Sequence, residues 1–242
     1  MPFVNESNIN LSYNSTLGLI GNQQGSQVLF DLPYEVMNLK ENEVIFKPGD
    51  YVRGLYFLKS GAVKTVVNRE LTRGRIHSPE YITKIVGEGE FFGLRTLIKG
   101  GSHTSMAKTL RPCEVLLFPR EGITNIMNGP RTMLKMVLTQ LTKDMDEYEV
   151  VNQLHYLASV QERIAYRLVL LAEKFGVPTA GGVSINMKLT RNELAQLAGT
   201  INESLSRHLS EMKSEGILEL VGKEIIVKNM DALKSKSGNY RA

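Results

Sequence analysis

The chain has 242 residues, of which 42% are hydrophobic and 22% are charged, and its formal net charge is +4. These proportions are ordinary for a globular protein and leave room for one large or two modest domains. The longest unbroken apolar stretch, Leu168–Ala172, is far too short to cross a bilayer, and residues 1–10 show no secretory signal, so we expect a cytoplasmic protein without membrane contact.

The sequence pattern of the first 129 residues predicts an N-terminal arm followed by a β-domain. Residues 1–25 are rich in Asn, Ser and Gly and predict a loosely ordered N-terminal arm. Residues 26–129 contain short apolar or alternating runs between turn residues and no long helix, which predicts a β-barrel or jelly roll. The predicted strands are Glu43–Phe46, Gly54–Leu58, Ala62–Val67, Tyr81–Val86, Thr104–Thr109 and Glu114–Phe118, with an exposed loop tip at Thr72–Ser78 and a short helical turn at Leu94–Ile98.

A long helix is predicted next, over residues 130–158, because Thr132–Leu157 contains no Gly or Pro. Apolar residues recur there in steps of four and three, as in a coiled-coil seam, and the next seam position is polar, as in seams that fix register. A length of about 39 Å, at 1.5 Å per residue, favours a dimerisation helix over a helix packed only on its own domain. The predicted dimer contacts are Leu134, Leu138, Leu141, Met145, Tyr148 and Asn152.

Residues 159–242 are predicted to form a winged helix-turn-helix domain. Capping boxes begin at Ser159, Thr190 and Thr200, and each predicts the start of a helix. Gly199 separates the second helix from the third, which is the pattern of a helix-turn-helix. Inward-facing residues are predicted at Ile201, Leu205 and Leu209, a short strand at Val183–Leu189, and a β-hairpin wing at residues 216–227.

The third of these helices presents polar residues that can address base edges or phosphates in a major groove. An αα-hairpin can imitate a helix-turn-helix, but the capped helices, the glycine turn and the wing together favour DNA binding. Most of the net positive charge also lies from Ser159 onward. The predicted DNA-binding residues are Thr190, Arg191, Thr200, Asn202, Glu203, Ser206 and Arg207.

Cysteine and histidine usage argues against metal and redox cofactors. Cys113 is the single cysteine, which excludes an internal disulfide, a thiolate zinc site and an iron–sulfur cluster held by this chain. The four histidines do not stand at metal-ligand spacing, and no pair indicates haem ligation. We therefore expect no metal site and no cofactor, with Cys113 as a small buried hydrophobe.

With these motifs, the chain resembles the Crp–Fnr family of transcription regulators over nearly its whole length after residue 25. The resemblance rests on residues 46–50, 55–61 and 91–93 in the β-domain, and on residues 189–195, Gly199 and Glu203–Arg207 near the C-terminus. It implies an α+β protein with a β-roll sensor domain, a dimerisation helix and a winged helix that reads a palindrome. The implied partners are double-stranded DNA, a second copy of the chain, RNA polymerase and an unidentified small molecule.

The sensor site departs from the pattern of relatives that bind cyclic nucleotides. Those relatives follow Phe-Gly with a Glu for the ribose and later place an Arg-Ser or Arg-Thr pair on the phosphate. Here Leu94 follows Gly93, and His103 stands where the Arg is expected. The usual Thr-Ser pair of the dimer helix aligns near Tyr148 and Glu149, and a carboxylate would repel a phosphate. Cyclic AMP in the usual pose is therefore not expected.

The candidate effector-binding residues are Phe92, Gly93, Leu94, Arg95, His103, Thr104 and Ser105. Arg95, Lys99 and His103 can attract an anion, or they can be surface residues on a solvated loop. Phe92–Leu94 also resembles the nitrogen-control branch of the family, which senses 2-oxoglutarate through an Arg on the dimer helix. Between Leu134 and Glu162 this chain has Lys135 and Lys143 but no Arg before Glu162, so that match is partial.

Other function classes fit less well. The sequence has no Gly-x-Ser-x-Gly elbow and no Gly-Lys-Ser/Thr phosphate loop, and residues 87–89 lack the spacing of a dinucleotide loop, so we do not expect an enzyme. Two alternatives stay open at this point. One is an effector-independent regulator whose β-roll is only a dimer scaffold, and the other is an interaction module that has lost DNA binding.

Overall fold

A computed structural model of the chain describes residues 33–68, 80–121, 131–187 and 189–238. The predicted N-terminal arm and the predicted loop tip at Thr72–Ser78 lie outside the described residues. The chain divides into two compact units. The first holds the β-domain apart from residues 80–82, together with the start of the long helix through Asp144, and the second holds residues 80–82, the long helix from Met145 and the C-terminal elements. The bounds of the four predicted segments remain predictions.

The β-domain consists of two four-stranded sheets, in the orders β1-β8-β3-β6 and β2-β7-β4-β5. Strands pair antiparallel, with Tyr56 opposite Leu117 in the first sheet and Thr65 opposite Ala107 in the second. The elements are β1 (Glu35–Leu39), β2 (Val44–Phe46), β3 (Gly54–Ser60), β4 (Val63–Asn68), β5 (Glu80–Val86), β6 (Phe91–Phe92), α1 (Leu94–Lys99), β7 (Met106–Thr109) and β8 (Cys113–Pro119).

One buried cluster joins the two sheets. Phe46, Val63 and Ala107 come from the second sheet, and they pack with residues of β3 and β8 that include Tyr56 and Leu117. Each large apolar side chain buried in this way contributes about 1.5–3 kcal/mol to folding. The fold is therefore a jelly roll, as the sequence predicted.

The second unit combines helices with a four-stranded sheet in the order β11-β12-β10-β9. Ile164 and Leu168 on α3 are fully buried in its core. No helix among the described residues is long and apolar enough to cross a membrane. The elements are α2 (Arg131–Leu157), α3 (Val160–Phe175), β9 (Gly176–Thr179), β10 (Gly182–Ile185), α4 (Arg191–Leu197), α5 (Asn202–Ser214), β11 (Leu218–Val221), β12 (Glu224–Val227) and α6 (Met230–Lys236).

The predicted strands and helices are confirmed in order and type, and the differences lie at their ends and in four short elements. The strand predicted over Val183–Leu189 ends at Ile185, and that over Thr104–Thr109 begins at Met106. Strands β1, β6 and β9 and helix α6 were not predicted. Gly176 and Pro178 follow the end of α3, and β9 accommodates Pro178 because it is an edge strand, where a proline need not donate to the ladder.

Candidate nucleic-acid interface

Helices α4 and α5 form the predicted helix-turn-helix. Thr190 caps α4: its side chain accepts a hydrogen bond from the Glu193 amide at 3.2 Å, and the Glu193 carboxylate accepts one from the Thr190 amide at 2.8 Å. At the turn, Gly199 has φ +62°, which a glycine adopts without steric cost. The amide of Thr200 then donates to the carbonyl of Ala195 at 2.9 Å and closes the turn.

The predicted third capping box is wrong. Helix α5 begins at Asn202, so its N-cap is Ile201, which has no capping side chain, and Thr200 lies one residue too early. A capping side chain reaches the amides of N2 or N3 only from the N-cap position. The prediction that Ile201 faces inward is wrong for the same reason, because this residue is 66% exposed, whereas Leu205 and Leu209 are buried as predicted.

The exposed face of α5 carries the four residues predicted for base contacts: Asn202, Glu203, Ser206 and Arg207. The Glu203 carboxylate makes no hydrogen bond or ion pair with any residue in the described ranges. Because it does not close a capping box, its acceptor atoms remain available to a partner. Arg191, at the start of α4, is half-buried, and burial lowers the pKa of its guanidinium below the ordinary value.

The wing is present where the sequence predicted it. Strands β11 and β12 pair antiparallel, with Val221 opposite Glu224, and the exposed Gly222 and Lys223 form the turn between them. Strand β12 also pairs with β10, so the hairpin is anchored in a larger sheet rather than standing alone.

Two residues that were not among the predicted site residues support the turn of the helix-turn-helix. Arg163 on α3 donates to the carbonyls of Ala198 at 3.1 Å, Gly199 at 3.2 Å and Ala158 at 3.0 Å. The ring of His155 lies against Gly199, and burial, Arg163 and Arg167 lower its pKa. The sequence carries no signal for these contacts, because they join residues up to 44 positions apart.

In the β-roll, the structure brings Phe92, Gly93 and His103 together with Phe46 and Tyr56, which the sequence did not single out. The His103 ring is 2% exposed and stacks on Phe46 at 3.7 Å between ring centroids. Its Nε2 atom has no hydrogen-bond partner among the residues that the structure describes. Burial lowers the pKa of His103, although the Asp50 carboxylate opposes that shift.

The other candidate effector residues are dispersed. Leu94 is buried, Ser105 is half-buried, and Arg95 and Thr104 are exposed. Lys143 on the long helix forms an ion pair with the buried Glu90 at 3.5 Å. Among the candidate effector residues, the neutral His103 supplies the buried polar side chain.

Helix α2 carries the predicted dimer contacts on a face that is largely exposed. Leu138, Met145 and Tyr148 are 53%, 70% and 50% exposed, and Asn152 is also exposed, whereas Leu141 is half-buried. The side chain of Leu134 lies outside the described part of the structure. A different face of the helix packs within the second unit through Val150 and Leu154, which cluster with Ala158 and Tyr166.

Comparisons with known proteins place this chain among regulators of one architecture. The family described as cyclic nucleotide-binding domain matches residues 36–129, and the family described as Crp-like helix-turn-helix domain matches residues 162–236. The global nitrogen regulator of Nostoc sp. is 26% identical over 197 residues, which cover 81% of this chain and 86% of that protein.

A second relative is named for a different signal. The CRP-like cAMP-activated global transcriptional regulator of Mycobacterium tuberculosis is 25% identical over 203 residues, covering 83% of this chain and 87% of that protein. The solved structure of FixK2 from Bradyrhizobium japonicum shares the fold, with a TM-score of 0.72 at 20% identity, over 86% of this chain and 99% of that one.

Proposed function

The chain belongs to the Crp–Fnr family of DNA-binding transcription regulators, and from this premise we propose that it binds a palindromic DNA site as a homodimer. The observation that carries the proposal is the exposed face of α5, where Glu203 and Arg207 stand four residues apart on one side of the helix.

Their chemistry suits G·C pairs. An arginine donates two hydrogen bonds to O6 and N7 of guanine, and a carboxylate accepts from N4 of cytosine. Thr190, Arg191 and Thr200 position the helices and contact the backbone, while Asn202 and Ser206 flank the base-reading pair. Lys223 in the wing adds a phosphate contact that carries no sequence information.

The exposed apolar face of α2 supports the dimer. Leu138, Met145 and Tyr148 lie on one seam, and each is at least half exposed. Large apolar side chains that recur at coiled-coil spacing on an exposed helix fit a second copy of the same helix. A two-fold dimer then presents its recognition helices to half-sites about one helical turn apart, roughly 34 Å.

For the β-roll we propose a small-molecule effector other than cyclic AMP in its usual pose. The buried His103 has a lowered pKa and so provides no cation for a phosphate, and Leu94 provides no carboxylate for a ribose. In this proposal Phe92, Gly93 and His103 contact the ligand, and Leu94, Arg95, Thr104 and Ser105 complete the site. RNA polymerase is the proposed partner in transcription.

An effector-independent regulator is the second candidate for the β-roll. It is favoured by the dense packing of His103, which stacks on Phe46 and lies 6.3 Å from the Tyr56 ring, because this packing leaves the residue almost no exposed surface. A regulator of this kind would bind its DNA site with the same affinity whether or not the small molecules of a cell extract are present.

Selection of binding sites from random duplex DNA tests the proposed function. The wild-type protein should enrich a two-fold symmetric sequence with half-sites one helical turn apart. Enrichment of no sequence, or of a single asymmetric half-site, would contradict the proposal.

A further inference from the structure

This inference rests on the proposed function, in which Arg207 reads a base, and it concerns how Arg207 is held. Glu211, one turn later on α5, lies beside both Arg207 and His208. Its Oε1 is 3.8 Å from Arg207 Nε, and its Oε2 is 2.8 Å from His208 Nδ1. The third side of this triangle is the 3.4 Å contact between Arg207 Nη2 and His208 Nε2.

The hydrogen-bonding roles within the triangle follow from its chemistry. A carboxylate only accepts, so His208 Nδ1 donates to Glu211. In a neutral ring, Nε2 then carries a lone pair, and it accepts from Arg207 Nη2. His208 is the anchor of the arrangement, because its side chain is 13% exposed, against 67% for Arg207 and 46% for Glu211.

The triangle also determines which donors Arg207 keeps. A guanidinium has five N–H groups, of which one on Nη2 is directed at His208, while Nε lies in ion-pair contact with Glu211 at 3.8 Å. Both hydrogens of Nη1 and the second hydrogen of Nη2 remain. Two adjacent donors on Nη1 and Nη2 match the O6 and N7 acceptors of guanine.

We propose that Glu211 and His208 are positioning residues that hold Arg207 in its base-reading conformation and thereby set the preference for guanine. An arginine held in place before DNA arrives loses less conformational freedom on binding. The same contacts also compensate the negative charge of Glu211, which would otherwise be repelled by nearby phosphates.

The test compares Glu211→Gln with Glu215→Gln. Both variants remove one negative charge near the end of α5, but Glu215 pairs with Lys236 at 2.8 Å and does not belong to the triangle. Both should therefore bind all duplexes slightly more tightly. The measured quantity is the ratio of affinities for the selected site and for the same site with the guanine replaced.

For Glu211→Gln we expect this ratio to fall, on the order of fivefold, whereas Glu215→Gln should leave it unchanged. His208→Leu, which fills the same half-buried position without polar atoms, should lower the ratio in the same direction. Thermal unfolding of each variant establishes that it is folded before binding is measured.

Arg207→Ala separates the possible outcomes. In that background Glu211→Gln should change the ratio no further, because there is no guanidinium left to position. If Glu211→Gln changes affinity for all duplexes equally, or still lowers the ratio without Arg207, the positioning role is overturned. If Arg207→Ala alone leaves the ratio unchanged, the base-reading role of the proposed function fails as well.

Discussion

The ring of His155 lies directly against Gly199 at the turn of the helix-turn-helix. A β-carbon built on Gly199 would be only 2.8 Å from His155 Cε1, and the glycine has φ +62°. The turn therefore excludes a side chain for two independent reasons, its backbone conformation and the neighbouring ring.

Gly199→Ala should destabilise the C-terminal unit by about 1–2 kcal/mol for the left-handed backbone, plus about 1 kcal/mol for the contact with His155. Gly222→Ala is a matched control, since Gly222 has φ +60° and nothing within 4 Å of the built β-carbon. Chemical denaturation of both variants measures the difference. Equal losses would show that the His155 contact costs nothing, and a second substitution, His155→Ala, should then bring no recovery in Gly199→Ala.

Met145→Glu should convert the dimer to monomers and weaken DNA binding at the same time. Met145 is 70% exposed, so the substitution leaves the folded monomer intact, but it would place two like charges across the helix seam. Leu157→Glu is the control, because Leu157 is 72% exposed on the same helix but lies off the seam. Light scattering at micromolar concentration checks the mass. A monomeric wild type would contradict the dimer.

Glu203→Gln should change the base preference of the selected site, because Gln donates where Glu only accepts. Since Glu203 does not close a capping box, this substitution should leave the helix intact. Lys223→Ala should instead weaken binding to all sequences about equally. Binding-site selection with each variant decides between the two patterns. An unchanged preference in Glu203→Gln would mean that Glu203 touches no base.

Cyclic AMP should bind weakly or not at all. Each lost charge-assisted hydrogen bond costs about 1.5–3 kcal/mol. Leu94 and His103 replace the Glu and the Arg of the cyclic-nucleotide pattern, so the affinity should be at least about tenfold lower than that of a family member that has both of those residues. Isothermal titration calorimetry of both proteins measures the difference. Affinities that agree within a factor of two would contradict the prediction.

The stability of the β-roll should fall as the pH drops below 6.5, the ordinary pKa of histidine. Burial lowers the pKa of His103 in the folded state, so below that pH the unfolded chain binds a proton that the folded chain does not. His103→Phe keeps the stacking on Phe46 and should make this loss of stability with acid shallower. Urea unfolding from about pH 8 to about pH 5 measures the slope. His155, whose pKa is also lowered, contributes equally to both proteins.

Much of the fold could be predicted because its signals are local. The alternating runs of the β-domain, the uninterrupted Thr132–Leu157 helix and the caps at Ser159 and Thr190 depend on residues within a few positions of one another. The prediction of a cap at Thr200 was wrong because Thr200 and Glu203 have the spacing of a capping box, but the turn places Ile201 at the N-cap. Helix register after a tight turn is set by the turn's own hydrogen bonds, which no spacing reveals.

Residue type and short-range periodicity were enough to predict the order of the domains and the exposed face of α5, and the resemblance to the Crp–Fnr family marked Leu94 and His103 as departures from its cyclic-nucleotide pattern. The folded structure alone reveals that Arg163 and His155 support the Gly199 turn and that Phe46 covers the ring of His103. It also decided that His208 is buried enough to anchor Glu211 beside Arg207. Such contacts depend on which distant surfaces meet, and burial then changes the pKa and hydrogen-bonding role of each group that they enclose.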